Sequence, residues 1–356
     1  MRRFYQADIL RAIAVIMVLM YHFWVVCGYQ STGVGALNDL IGLGGEIGVT
    51  VFFILSGFGI TCSLYSAESR GQKTAFLPFI KKRLARIYPL YIISMVFALL
   101  IGTMDAYGPA DTVKSLILHM FFVHNLFAGH HGTISGVLWT MGVIFQFYLL
   151  SIPAYKLMKK SPRIFLAASV IFTVLIKVMV FCFFIAADES ASLKYFIYGR
   201  QIFTAFDNFA IGMFAAYTVL NGKLPKIKAV PAAGLFLAAA VVFLVWCIVI
   251  TPMSQIYLNG IWGWCWHSVT ALLAGAVFLA LLLNDINADG IIFLPFKFIS
   301  RYEYGIYLFH LLVANLLAEV SPTFGKLAEN YGCFALVMLF VSVSIGWLAE
   351  KIADGR

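Results

Sequence analysis

VKSLILHMFFVHNLF, residues 113–127, is an apolar run of fifteen residues carrying two histidines, and whether it crosses a membrane decides the orientation of every segment around it. The chain has 356 residues, 62% of them hydrophobic and 12% charged, with a mean hydropathy of +0.93. A soluble fold of this composition would lack the polar side chains to cover its surface, so a bilayer is its solvent. Crossing ~30 Å of hydrocarbon takes roughly 20 apolar residues. Ten runs come near that length, at 8–28, 45–65, 88–104, 138–157, 164–186, 199–220, 230–251, 266–284, 302–320 and 330–350. Residues 113–127 are shorter than these.

The basic residues decide how the short run is read. Nineteen of the 25 Lys and Arg fall into six groups, within 2–3, 70–86, 156–163, 223–228, 297–301 and 351–356. If the ten long runs cross and 113–127 does not, all six groups share one side, as the positive-inside rule demands. If it also crossed, every later group would change sides. The expected fold is therefore all-α and polytopic, with about ten transmembrane helices, a short outer re-entrant or interfacial helix, and both termini cytoplasmic. The non-cytoplasmic loops keep only Lys114, Lys194, Arg200 and Lys326. The loops are short and no internal repeat is evident, so residues 1–356 are expected to form a single transmembrane domain.

The formal charge of +9 is absorbed by this topology, and nucleic acid is not an expected partner. Cysteines at 27, 62, 182, 247, 265 and 333 form no CxxC pair and have no histidine at zinc-finger spacing, so they read as small apolar fillers. The first span starts after seven residues and has no small-residue cleavage site, which marks a retained helix rather than a signal peptide.

Polar groups at membrane depth cost about 3 kcal/mol for a mid-helix arginine or aspartate, so each is a candidate functional residue. In RAIAVIMVLMYH (11–22), Arg11 and His22 are eleven residues apart. At about 100° and ~1.5 Å per residue they share one helical stripe, within about 20° of each other, and stand roughly 16 Å apart along it. Arg11 either snorkels to cytoplasmic headgroups with Asp8 as partner or holds phosphate. His22 is either a hydrogen-bonded interior histidine or a base acting on a hydroxyl near neutral pH. Together they suit a long amphipathic ligand with phosphates at one end and a reacting group at the other. Acyl-CoA, a lipid-linked pyrophosphate and a proton-coupled transport path all remain open on these two residues alone.

Five stretches in order resemble the signatures of the acyltransferase-3 family of integral membrane O-acyltransferases. They are DILRAIAVIMVLMYH (8–22), GGEIGVTVFFILSGFGI (44–60), FIKKRLARIYPLY (79–91), LWTMGVIFQFYLLSIP (138–153) and SRYEYGIYLFH (300–310). The resemblance spans nearly the whole chain, and is to members without a fused extracytoplasmic hydrolase-like domain. Two departures stand out: Ile144 and Phe145 occupy positions where many members carry Glu, and Thr50 replaces a common acidic residue.

The resemblance implies an O-acetyltransferase of the bacterial inner membrane that takes acetyl-CoA from the cytoplasm and acylates a glycan or lipid-linked glycan. The acceptor is reached directly or through a separate extracytoplasmic transferase partner. In that scheme His22 is the general base and Glu46 orients it, while Arg11, Arg83 and Arg86 hold the CoA phosphates and Ser56 lines the thioester channel. Trp139, Tyr307 and His310 wall the acceptor side, with His310 given no chemical step. Arg83 and Arg86 also suit anionic headgroups, and Pro89 is expected to open the next helix. The glycines around Ser56 and Gly57 are expected at a close helix crossing.

Lys177 and Asp207 are expected as an ion pair, and WGWCWHS (262–268) as an aromatic loop at the outer interface. The cluster His119, His124, His130 and His131 gives no recognised metal pattern and is expected as a polar rim over the acceptor entrance, with no metal site. A secondary transporter or lipid-linked oligosaccharide flippase is the rival from another class.

Overall fold

The structure is a computed structural model describing residues 4–105, 107–185, 197–225, 227–250, 260–284 and 290–353. Arg2, Arg3, Lys194, Lys226 and Arg356 of the charge pattern lie outside those residues. Every regular element among the described residues is helical. In chain order these are α1 (Tyr5–Val26), α2 (Gly35–Ser69), α3 (Phe76–Leu100), α4 (Pro109–Met120), α5 (Trp139–Lys160), α6 (Pro162–Val180) and α7 (Phe206–Leu220). There follow α8 (Ala229–Val245), α9 (Gly260–Leu282), α10 (Leu294–Arg301), α11 (Glu303–Val320), α12 (Pro322–Leu327) and α13 (Tyr331–Ala353). Nine helices among the described residues are long and apolar enough to cross a membrane. The all-α, polytopic membrane architecture expected from the sequence is thus present.

The tenth expected span, 199–220, is the exception. Its helix α7 has 15 residues, about 22 Å at 1.5 Å per residue. The helix starts late because Thr204 organises the residues before it. Its hydroxyl donates to the Gly199 carbonyl at 2.8 Å and accepts the Gln201 N–H at 2.9 Å, and a 3₁₀ turn over Ile202–Thr204 forms instead. α4 is short as well, with 12 residues, Pro109 at its start and 3₁₀ turns after it. This agrees with the non-spanning helix expected near 113–127. α1 ends at a left-handed turn, with Gly28 at φ +67 and Tyr29 at φ 60.

Two expectations about helix starts are corrected. Pro89 lies inside α3 rather than opening it. The helix begins at Phe76, where Phe79 and Ile80 are buried and anchor its first turns. Pro89 leaves without a donor the carbonyl of Ala85, whose residue is exposed. Residues 262–268 belong to α9 and do not form a loop. Trp266 within them is fully buried and stacks edge-on against His267.

The chain forms two compact units. One comprises Met1–Leu10, Thr50–Lys82 and Val143–Asp289, the other Arg11–Val49, Arg83–Gly142 and Gly290–Arg356. The first unit is organised around Ile54, Leu55 and Phe58 of α2, Ile211 and Ala215 of α7, and Ala274 and Phe278 of α9. Backbones meet where α2 crosses α7: a Cβ at Gly57 would overlap the Phe209 carbonyl, and one at Gly212 the Ile54 carbonyl. Without a hydrophobic drive between helices in lipid, such close backbone contact is what holds them together. The crossing expected at Ser56 and Gly57 is thereby located.

Gly212→Ala is expected to cost about 1–3 kcal/mol through overpacking, read as a lowered Tm in detergent. Gly59→Ala, where an added Cβ meets nothing within 4 Å, is its matched control and should leave Tm unchanged.

In the second unit α11 and α13 cross at Gly305 and Gly346, each of which would overlap the other helix with a Cβ. The Glu350 carboxylate accepts the Gly305 N–H at 2.8 Å, and the Tyr304 hydroxyl donates to the Ile87 carbonyl of α3 at 2.7 Å. α2 meets α1 along Gly44 and Gly48, where an added Cβ would stand 2.7 Å from the Met17 carbonyl oxygen and 2.6 Å from that of Ala14. These contacts fix α1 and α11, which carry the site.

Candidate functional site

α1 and α11 each present one stripe of polar residues. Arg11 Nε lies 2.9 Å from Glu303 Oε1. His310 Nε2 lies 3.0 Å from His22 Nδ1. The two pairs occur in the same order along both helices, so the helices run parallel. Eleven residues separate Arg11 from His22 and seven separate Glu303 from His310, spans of about 16 and 10 Å. The long side chains of Arg11 and Glu303 take up the difference, while the imidazoles meet directly.

Hydrogen-bond complementarity fixes the protons. His310 Nδ1 lies 2.7 Å from the Tyr307 carbonyl. A carbonyl only accepts, so that nitrogen carries the hydrogen and neutral His310 accepts at Nε2. His22 Nδ1 faces this acceptor and also the Val18 carbonyl at 2.9 Å. It must donate, which leaves the lone pair of a neutral His22 on Nε2. His310 is fully buried and His22 is partly exposed. The pair therefore divides into an interior histidine that sets a tautomer and a more accessible one with its basic nitrogen on the far side.

The other residues singled out from the sequence are spread more widely. Glu46 is half-buried on α2, two residues from both Gly44 and Gly48, and so on a different side of the helix from the line that abuts α1. Arg83 and Arg86 share a face of α3 next to Lys81 and Lys82; Arg83 is half-buried and Arg86 exposed. That cationic face has the charge and spacing to hold phosphates. Ser56 is half-buried on α2 within the other unit. Trp139 and Tyr307 are buried. The Tyr307 hydroxyl donates to the Val137 carbonyl at 3.1 Å with Thr140 Oγ1 3.0 Å away, so it ties the start of α5 to α11. The sequence puts Glu303 on one face with His310, seven residues on; its pairing with Arg11 is what the sequence reading missed.

The histidines after α4 overturn the expected polar rim. His119, His124 and His131 are at most 1% exposed and His130 is 8% exposed, so they form part of an interior. The rings of His119 and His124 stack at 3.7 Å. His119 Nδ1 donates to the Ser115 carbonyl at 2.8 Å, and the Ser115 hydroxyl pairs with His130 Nδ1 at 2.7 Å. Among the described residues no three His, Cys, Asp or Glu side chains converge as metal ligands.

Burial pushes His119 down from 6.5 to about 4, and His124 down to about 2 with its stacked neighbour adding to the effect. Both are neutral when folded, whereas the unfolded chain takes up protons below pH 6.5. Stability is therefore complete above pH 6.5 and falls by about 1.4 kcal/mol per pH unit per histidine as the pH drops towards 4. Exchange protection of the amides over 115–126, corrected for intrinsic rate, should decline between pH 7 and pH 5; unchanged protection would contradict this.

With the geometry in hand, the comparisons identify the class. The family model of the acyltransferase-3 type, described as an acyltransferase domain, matches residues 4–351, and the chain belongs to this family of membrane acyltransferases. The chain is 25% identical over 337 residues to the peptidoglycan O-acetyltransferase OatA of Listeria monocytogenes, covering 88% of this chain and 50% of that protein. It is 27% identical to the putative peptidoglycan O-acetyltransferase YrhL of Bacillus subtilis, covering 88% and 49%. It is 25% identical to the putative membrane-bound transacylase BcsY of Komagataeibacter xylinus, covering 93% and 78%. The chain thus spans about half the length of the first two relatives. No solved structure matches it significantly.

Proposed function

We propose that the chain is an O-acetyltransferase of the bacterial cytoplasmic membrane that moves an acetyl group from cytoplasmic acetyl-CoA to a hydroxyl of a cell-surface or lipid-linked glycan. The observation that carries this is the tautomer that His310 and the Val18 carbonyl together impose on His22, which directs the lone pair of a partly exposed imidazole to Nε2. A family of acyltransferases and relatives named for peptidoglycan O-acetylation support the same chemistry. In this scheme His22 Nε2 takes the acceptor proton as the oxygen attacks the thioester carbonyl. The C–S bond then breaks, the sulfur leaves with its electron pair, and the imidazolium returns the proton to it.

Arg83 and Arg86 hold the CoA phosphates at the cytoplasmic face, with the basic groups and both termini on that side. Arg11 contributes donors beyond the one it gives Glu303. Glu46 is given the role of orienting His22 that the family resemblance implies, and Trp139 and Tyr307 shape the acceptor wall at the start of α5. Ser56 keeps the thioester-channel role that the family resemblance implies.

Labelled acetyl-CoA offered to inverted membrane vesicles tests the proposal, with label followed into the glycan fraction. Time-dependent glycan labelling that requires the protein is expected. No labelling with any candidate acceptor would overturn it in favour of a transporter.

A further inference from the structure

We propose that the hairpin of α5 and α6 holds one anionic glycerophospholipid, its acyl chain in a groove between the helices and its phosphate at their connecting turn. The groove has a volume of about 340 Å³ and lies wholly within the first unit. Leu150 and Leu157 of α5, Phe165 and Phe172 of α6, and Phe203 form much of its wall. Its single polar lining residue, Ser169, already donates its hydroxyl to the Phe165 carbonyl at 2.7 Å. The wall therefore offers nothing to a polar ligand and suits hydrocarbon. Both helices are membrane-spanning by length and composition, so the groove opens among lipid tails.

An apolar groove does not by itself select a lipid, because tails are as apolar as leucine and no hydrophobic drive operates between them. Selection comes from the turn. α5 ends at Lys160 and α6 begins at Pro162, leaving Ser161 alone between them. Lys160 and Arg163 lie within three residues of the nearest wall residues, about 5 Å or less along the axes. Lys159 is paired with Glu68. Lys156, Lys160 and Arg163 are exposed and have no side-chain partner among the described residues. Three uncommitted cations beside an apolar groove match a phosphate headgroup with net negative charge, each such cation adding to attraction for anionic lipid.

Native mass spectrometry of the full chain, released from vesicles of equimolar phosphatidylglycerol and phosphatidylcholine, tests this. The wild type is expected to retain one phosphatidylglycerol in preference to phosphatidylcholine. K160Q/R163Q, altering only exposed side chains, should lose about fivefold of that preference per cation removed while still retaining lipid. A168W, which fills the groove, should retain neither. Equal retention of the two lipids by the wild type would overturn the proposal. So would an undiminished preference in K160Q/R163Q, or unchanged retention in A168W.

Discussion

His22→Ala is expected to lower acetyl transfer by about 10²- to 10⁴-fold, the usual contribution of a positioned acid–base group, with the protein still present in the membrane at wild-type level. The variant removes the imidazole whose Nε2 lone pair the contacts of α1 leave available as a base. His310 supplies the comparison that separates chemistry from packing. His310→Gln keeps an oxygen able to accept from His22 Nδ1–H, whereas His310→Leu removes that acceptor and leaves the Val18 carbonyl alone to hold the tautomer. The expected order of kcat is wild type, then His310→Gln, then His310→Leu, then His22→Ala. Wild-type labelling by His22→Ala would take His22 out of the mechanism.

The stripe behind this prediction was legible in the sequence because helix geometry is periodic: spacings of eleven and seven residues put each polar pair on one face. What spacing could not give was the partner. Asp8 was the neighbour within reach on the same helix, yet Arg11 is paired with Glu303, nearly three hundred residues away. Only the crossing of α11 with α13 and the close approach of α1 to α2 bring those stripes together, through glycines whose reach is visible only in three dimensions. The same limit explains the histidines near α4. Their polarity suggested a wet rim, but they are buried: one ring nitrogen each of His119 and His130 is satisfied through Ser115, and the rings of His119 and His124 stack. Pro89 and the aromatic run at 262–268 misled through local rules, since proline favours helix starts and tryptophans favour interfaces. In both cases the buried residues around them extend the helix.

Lys177→Met is expected to destabilise the first unit by about 3–5 kcal/mol, the cost of leaving one member of a buried ion pair uncompensated. The sequence paired Lys177 with Asp207, and the structure brings Lys177 Nζ to 3.8 Å from Asp207 Oδ2. It also adds a residue between them. Lys177 donates to Ser268 Oγ at 2.7 Å, and Ser268 donates to Asp207 Oδ2 at 2.5 Å. The Asn208 N–H reaches Asp207 Oδ1 at 2.9 Å, so the carboxylate is satisfied on both oxygens. All three side chains are buried, across α6, α7 and α9. Methionine matches the length of lysine but leaves the carboxylate charge in a low-dielectric interior. Lys177→Met combined with Asp207→Asn removes both charges and is expected to recover most of the lost stability, because neutral replacements of similar volume are often tolerated where half a pair is not. Thermal unfolding in detergent reads both variants. A double variant no more stable than Lys177→Met would mean that packing around Lys177, and not its charge, holds these helices together.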